Sequence, residues 1–221
     1  MLERKCYKLT QVGIAVRMRK DIKIQTNIHY DMLRCIALSM TVGALIPCES
    51  SGSPYIIDSV FNWANIRQAV IQSQGENKSI LDIGCGNGFS TSSSHGSLGI
   101  DTNLEMLSKA MKLFPEKKFE FGDVLFWKPR NKYDVVTSMF YLHEHPRHIR
   151  KKIIELALKT AKERVIFVDL SPDYCHCPSE EPCKRKPHLK DYLQQCREEL
   201  QGFDERVIVK GRINMWVRKI R

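Results

Sequence analysis

The chain has 221 residues, 43% apolar and 27% charged, and its 35 Lys and Arg against 25 Asp and Glu give a formal net charge of +10. These values fit one globular domain with a sizeable core, and the absence of any apolar run near the roughly 18–20 residues that cross a bilayer excludes a membrane-spanning helix. The charge suits an anionic partner such as nucleic acid, but the basic residues are scattered, with short runs at 150–152, 183–186 and 217–221 and no single stripe.

In chain order, the basic opening (1–24) lacks the serine richness of a transit peptide and the compact apolar centre of a signal peptide. A cytoplasmic location is expected, with an organellar address as the alternative. CIALSMTVGALIPC (35–48) is too short for a span and reads as a buried or interfacial helix ending near Ala44. ESSGSP (49–54) marks a loop. Residues 1–54 are expected to form a partly helical N-terminal extension, and 55–221 the main domain, which opens with a helix over 57–72.

From Lys78 the chain alternates β-branched runs with helical segments, the pattern of a parallel α/β sheet. Strands are predicted over 79–83, 97–101, 118–123, 133–139 and 164–170. Helices are predicted over 103–114, capped by Asn103 and ended by Pro115, and over 146–163, with Pro146 in its first turn. A further helix over 188–201 is closed by Gly202. RVIVK (206–210) and INMWVRKI (213–220) flank Gly211 as an antiparallel pair at the sheet edge.

The first strand runs into ILDIGCGNGFS (80–90), with Gly84, Gly86 and Gly88 opening a turn or two of helix. Glycines there let a ligand approach the backbone. A triphosphate loop needs Lys-Ser/Thr after its glycines, and here Phe89 and Ser90 follow. The dinucleotide fingerprint needs a third glycine three residues after the second, and that position is Phe89. Both phosphate readings fail. Instead, acids stand at the ends of three successive strands: Asp82 could meet a cation or hold the loop, Asp101 is placed for ribose hydroxyls, and Asp123 for an adenine amino group.

With these residues the sequence resembles the class I S-adenosylmethionine-dependent methyltransferases, in their type 11-like branch. LDIGCGNG (81–88) is similar to the family's first motif, LGIDTN (98–103) to its second, and FGDV (121–124) and YDVVTSMFYLHE (133–144) to its third and fourth. The resemblance implies a Rossmann-like seven-stranded, mostly parallel sheet with an antiparallel C-terminal strand. It also implies S-adenosyl-L-methionine as cofactor, held by Asp82, Gly84, Cys85, Gly86, Gly88, Asp101, Thr102, Asp123, Val124 and Ser138.

After the fourth strand, SMFYLHEHP (138–146) supplies the candidate catalytic groups His143, Glu144 and Tyr141. Methyl displacement needs alignment above all, and a base only where the nucleophile must lose a proton early. A small-molecule acceptor is the leading expectation. The alternatives are an RNA acceptor, for which FNWANIRQ (61–68) resembles a segment of messenger-RNA cap guanine methyltransferases, and a non-catalytic cofactor-binding scaffold. Cys175, Cys177 and Cys183 cluster, but the C-x-C spacing is tighter than a zinc knuckle, and free thiols are expected with no metal.

Overall fold

The computed structural model describes residues 63–75, 77–174 and 187–220. The expected extension over 1–54, the helix within 35–48, the first part of the helix over 57–72 and the cysteine cluster lie outside them.

Strands β1 (Ile80–Ile83), β2 (Leu98–Asp101), β3 (Phe119–Phe121), β4 (Tyr133–Met139), β5 (Ala161–Leu170), β6 (Asp204–Val209) and β7 (Ile213–Lys219) form one sheet. Its order is β3-β2-β1-β4-β5-β7-β6. β1 to β5 pair in parallel, and β7 lies antiparallel between β5 and β6. The chain steps outward from β1 to β3 and returns to β4 on the other side of β1. The carboxyl ends of β1 and β4 therefore face a crevice, the place where open α/β sheets bind ligands.

The central strands are buried on both faces, which is why ILDI and VVTSM read as nearly continuous apolar runs. On one face, Ile66 and Val70 of α1 (Trp63–Gln72) pack over Ile80, Val135, Ile166 and Ile213. The other face carries α3 (Arg147–Thr160) and α4 (Leu189–Glu199), reached after α2 (Leu104–Leu113). Ile153 and Ala157 of α3, with Tyr192 of α4, cover Leu81, Val136, Val165 and Phe167. Each such Ile, Val, Leu or Phe side chain removed from water stabilises the fold by roughly 1.5–3 kcal/mol, before conformational entropy is subtracted.

Four local expectations are corrected. Residues 84–97 contain turns and bends but no helix, because the hydroxyls of Ser90 and Thr91 fold back onto Asp82 and the chain reverses at Gly96, φ +77°. Residues 161–163, expected in a helix, begin β5: Ala161 is extended and pairs with Tyr133, and Lys162 reaches Asp134 at 3.0 Å. β3 ends at Phe121 rather than at Asp123, because the Asp123 side chain accepts from the Leu125 amide at 2.9 Å and turns the chain. Pro146 stands just before α3 instead of inside it, with its carbonyl accepting from Ile149 and Arg150. The expected hairpin at the sheet edge, and Asn103 capping α2 through the amides of Glu105 and Met106, are as predicted.

Candidate functional site at the carboxyl edge of the sheet

The glycine loop is pinned from two sides. The amides of Gly84 and Cys85 both donate to the Ile100 carbonyl, at 2.9 and 3.0 Å. Gly84, Gly86 and Gly88 have φ of +76°, +51° and +84°, the left-handed region that L side chains avoid. At Gly84 a second constraint applies: an added Cβ would sit 2.3 Å from the Tyr141 ring. Only glycine lets the phenol lie on the loop backbone.

Asp82 is fully buried beneath the loop and accepts from Ser90 Oγ at 2.8 Å and Thr91 Oγ1 at 2.7 Å, with Thr137 Oγ1 at 3.4 Å. Burial raises its carboxyl above the usual range, against the pull of these hydroxyls. Of the two roles expected for it, holding the loop is the one this geometry serves. Asp101 sits above, accepting from the Gly86 amide through Oδ2 and from the Asn103 amide through Oδ1, both at 2.8 Å. The Cys85 thiol points into the core, where it meets the space beside Gly99, and burial with the charges of Asp82 and Asp101 pushes it up. Thr102 is exposed next to Asp101, and Asp123 and Val124 are half-buried beyond β3.

From the end of β4, Phe140 takes φ +58°, a conformation rare for a large side chain, and its amide donates to the Val168 carbonyl at 2.7 Å. This bend folds Tyr141 back onto Gly84. Burial pushes the Tyr141 phenol up, helped by the charges of Asp101, Glu144 and Asp123. His145 meets the same ring edge-on, with centroids 4.2 Å apart, and burial lowers its imidazole. Among the described residues, the buried Ser138 Oγ, Asn87 Oδ1 and His145 Nε2 meet no hydrogen-bond partner.

His143 lies one step deeper. It is 1% exposed, and its Nδ1 stands 2.6 Å from Oδ1 of Asp169, itself 1% exposed. Glu144 is half in water, with Oε1 3.7 Å from His143 Nε2. The structure thus brings Asp101 to Gly86 and Tyr141 to Gly84, and leaves the side chains of Asp82 and Cys85 buried below them. Sequence reasoning missed Asp169, whose one signal is a lone acid in the apolar run RVIFVDL. Among the described residues no cluster of three or more His, Cys, Asp or Glu could hold a metal, and no helix is long and apolar enough to cross a membrane.

Residues 80–164 match the family described as methyltransferase domain. A curated relative, "Putative methyltransferase 235L" of Invertebrate iridescent virus 6, is 33% identical over 115 residues, 49% of this chain and 43% of that protein. The chain spans less than half the length of that relative. The magnesium protoporphyrin IX methyltransferase of Synechocystis PCC 6803, solved with bound S-adenosylhomocysteine, superposes with a TM-score of 0.56 at 15% identity, over 89% of this chain and 96% of that one. A TehB-like methyltransferase from Corynebacterium glutamicum superposes at 0.51 and 16% identity, over 76% and 98%. Residues 80–164 thus carry the match to a methyltransferase-domain family, and the seven-stranded sheet around them has the fold of these solved methyltransferases.

Proposed function

We propose that the chain transfers a methyl group from S-adenosylmethionine to a small-molecule acceptor. The observation that carries the reading is Asp101, whose carboxylate is fixed beside the glycine loop by two backbone amides. A carboxylate has about four lone-pair sites, so each oxygen can still accept from a ribose hydroxyl. The loop fits the cofactor in two further ways. The cradle at Gly84 is one that a Cβ would fill, and the buried Ser138 Oγ and Asn87 Oδ1 lack partners among the described residues, partners that a polar ligand would supply.

In this reading Gly84, Gly86 and Gly88 give backbone contact, Asp101 and Thr102 face the ribose, and Asp123 and Val124 border the adenine. Asp82 and Cys85 support the loop from below. When bound, the cofactor would supply a methyl group on a sulfonium, whose neutral thioether is a good leaving group. The protein's part is orientation and the handling of one proton. Tyr141, raised by burial, stays protonated and donates a hydrogen bond. His143 and Glu144 take the acceptor's proton.

A small acceptor is favoured over RNA by how the cations on this side are used. Arg147 pairs with Glu198, Arg150 with Glu199 and Asp191, and Arg197 with Asp173 and Glu205. Guanidinium groups held by carboxylates are poorly placed to neutralise phosphates. The net charge of +10 keeps RNA as the second reading.

Calorimetry with S-adenosylmethionine tests the core of the proposal. Binding is expected, and Asp101→Ala should weaken it about tenfold or more, the loss of charged hydrogen bonds worth about 1.5–3 kcal/mol. No heat from a folded sample refutes the reading. Labelled cofactor offered with a metabolite extract should mark small molecules. RNA binding that falls steeply from low to physiological salt would favour the second reading instead.

A further inference from the structure

We infer that Asp169 is a positioning residue: its buried carboxylate holds His143 as the tautomer with hydrogen on Nδ1, leaving Nε2 as the ring's acceptor on the side of Glu144. The inference takes its purpose from the methyltransferase reading but not its geometry.

The tautomer follows from what surrounds the carboxylate. Asp169 Oδ1 accepts from the Leu170 amide at 2.7 Å, and Oδ2 faces the His143 amide at 3.3 Å. Both are fixed backbone donors, so both carboxylate oxygens act as acceptors here. His143 Nδ1 lies 2.6 Å from Oδ1, which leaves the ring nitrogen to supply the hydrogen. A neutral imidazole carries one such hydrogen, and so the opposite nitrogen is an acceptor.

The placement gives that acceptor a use. Asp169 is the next-to-last residue of β5, and His143 sits in the 3-10 turn that follows the neighbouring strand β4, so the pair spans two elements at the crevice. Asp169, His143 and Glu144 form a row from the core outward, with 1%, 2% and 52% of their side chains exposed. A proton released by an acceptor at the exposed end reaches Nε2, 3.7 Å from Glu144 Oε1. The resulting imidazolium is held between two carboxylates. An orienting acid behind a histidine serves other enzymes in the same way, by fixing the tautomer without itself becoming protonated.

Ring nitrogen NMR on histidine-labelled protein, above the ring's titration, reads the tautomer without any acceptor or cofactor. The His143 signal is assigned by its loss in His143→Gln. In the unmodified protein Nδ1 should carry the hydrogen. Asp169→Asn can turn its amide toward Nδ1, so the ratio of the two tautomers should fall by about tenfold or more, as expected for a charged hydrogen bond. Hydrogen on Nε2 in the unmodified protein overturns the inference, even if the variant fails to fold. A folded Asp169→Asn with unchanged ring signals also overturns it. Failure of S-adenosylmethionine to bind would instead remove the methyltransferase reading and leave the ring result standing.

Discussion

Asp134, the second residue of β4, accepts from the Ser79 amide and hydroxyl at 2.9 and 2.8 Å and from Lys162 at 3.0 Å. The Ser79 amide, first among these, draws its pKa from 3.8 down to about 2. A folded value below the unfolded one adds stability above pH ~4 that is lost as pH falls toward ~2, here about 2 kcal/mol. Urea unfolding should therefore show Asp134→Asn weaker by about that amount near neutrality, with the gap closing at acid pH. A gap independent of pH counts against it. Asp82 has the opposite sign, since burial raises its carboxyl: its contribution is greatest below 3.8 and declines as pH rises through the folded value. At this scale the sequence was legible where acids end strands. It was silent on Asp169, because His143 and Asp169 are 26 residues apart and only the adjacency of β4 and β5 joins them. It could not show that Cys85 turns inward, because a loop residue's direction depends on its neighbours in space.

Among the elements, α3 and α4 are locked by one buried guanidinium. Arg150 donates through Nε and Nη2 to Glu199, each at 2.7 Å, through Nη2 to Asp191, and through Nη1 to the His145 carbonyl at 2.8 Å. Glu199 has 2% of its side chain exposed, so removing its partner leaves a buried charge. Arg150→Met should cost about 3 kcal/mol, the low end for such pairs because Arg147 Nε still lies 3.3 Å from Glu199. The double variant Arg150→Met with Glu199→Leu should recover much of that loss, and a single-variant cost below ~1 kcal/mol would refute the clamp. The same contact holds the His145 carbonyl, so the clamp also fixes the turn that carries Tyr141 and Glu144. The helices were readable because caps and apolar spacing are local. The missing helix after the glycine loop was not, since there the hydroxyls of Ser90 and Thr91 prefer Asp82 across the loop to their own backbone.

For the whole molecule, the sheet order sets a gradient of stability. β1 and β4 are bonded on both sides and buried, whereas β3 and β6 are edges with exposed positions. Amide hydrogen exchange should be slowest in β1, β4 and β5 and fastest in β3 and β6, and equal protection at edge and centre would contradict the order. The parallel class was legible from the alternation of runs, and the closing hairpin from Gly211. The pairing of β1 with both β2 and β4 was not, because no local pattern records which strands become neighbours. That pairing also governs when the site exists during synthesis. Thr137 meets Asp82 across a separation of 55 residues, and Tyr141 covers Gly84 from farther still. A nascent chain ending at Arg130 has the glycine turn and Asp101 but lacks the ring that closes over them. Among the described strands, the β6–β7 hairpin, with Val209 opposite Ile213, pairs across the shortest separation. The site at the carboxyl edge is thus a product of late assembly, and a ligand that waits there can meet only a chain whose central strands have already joined.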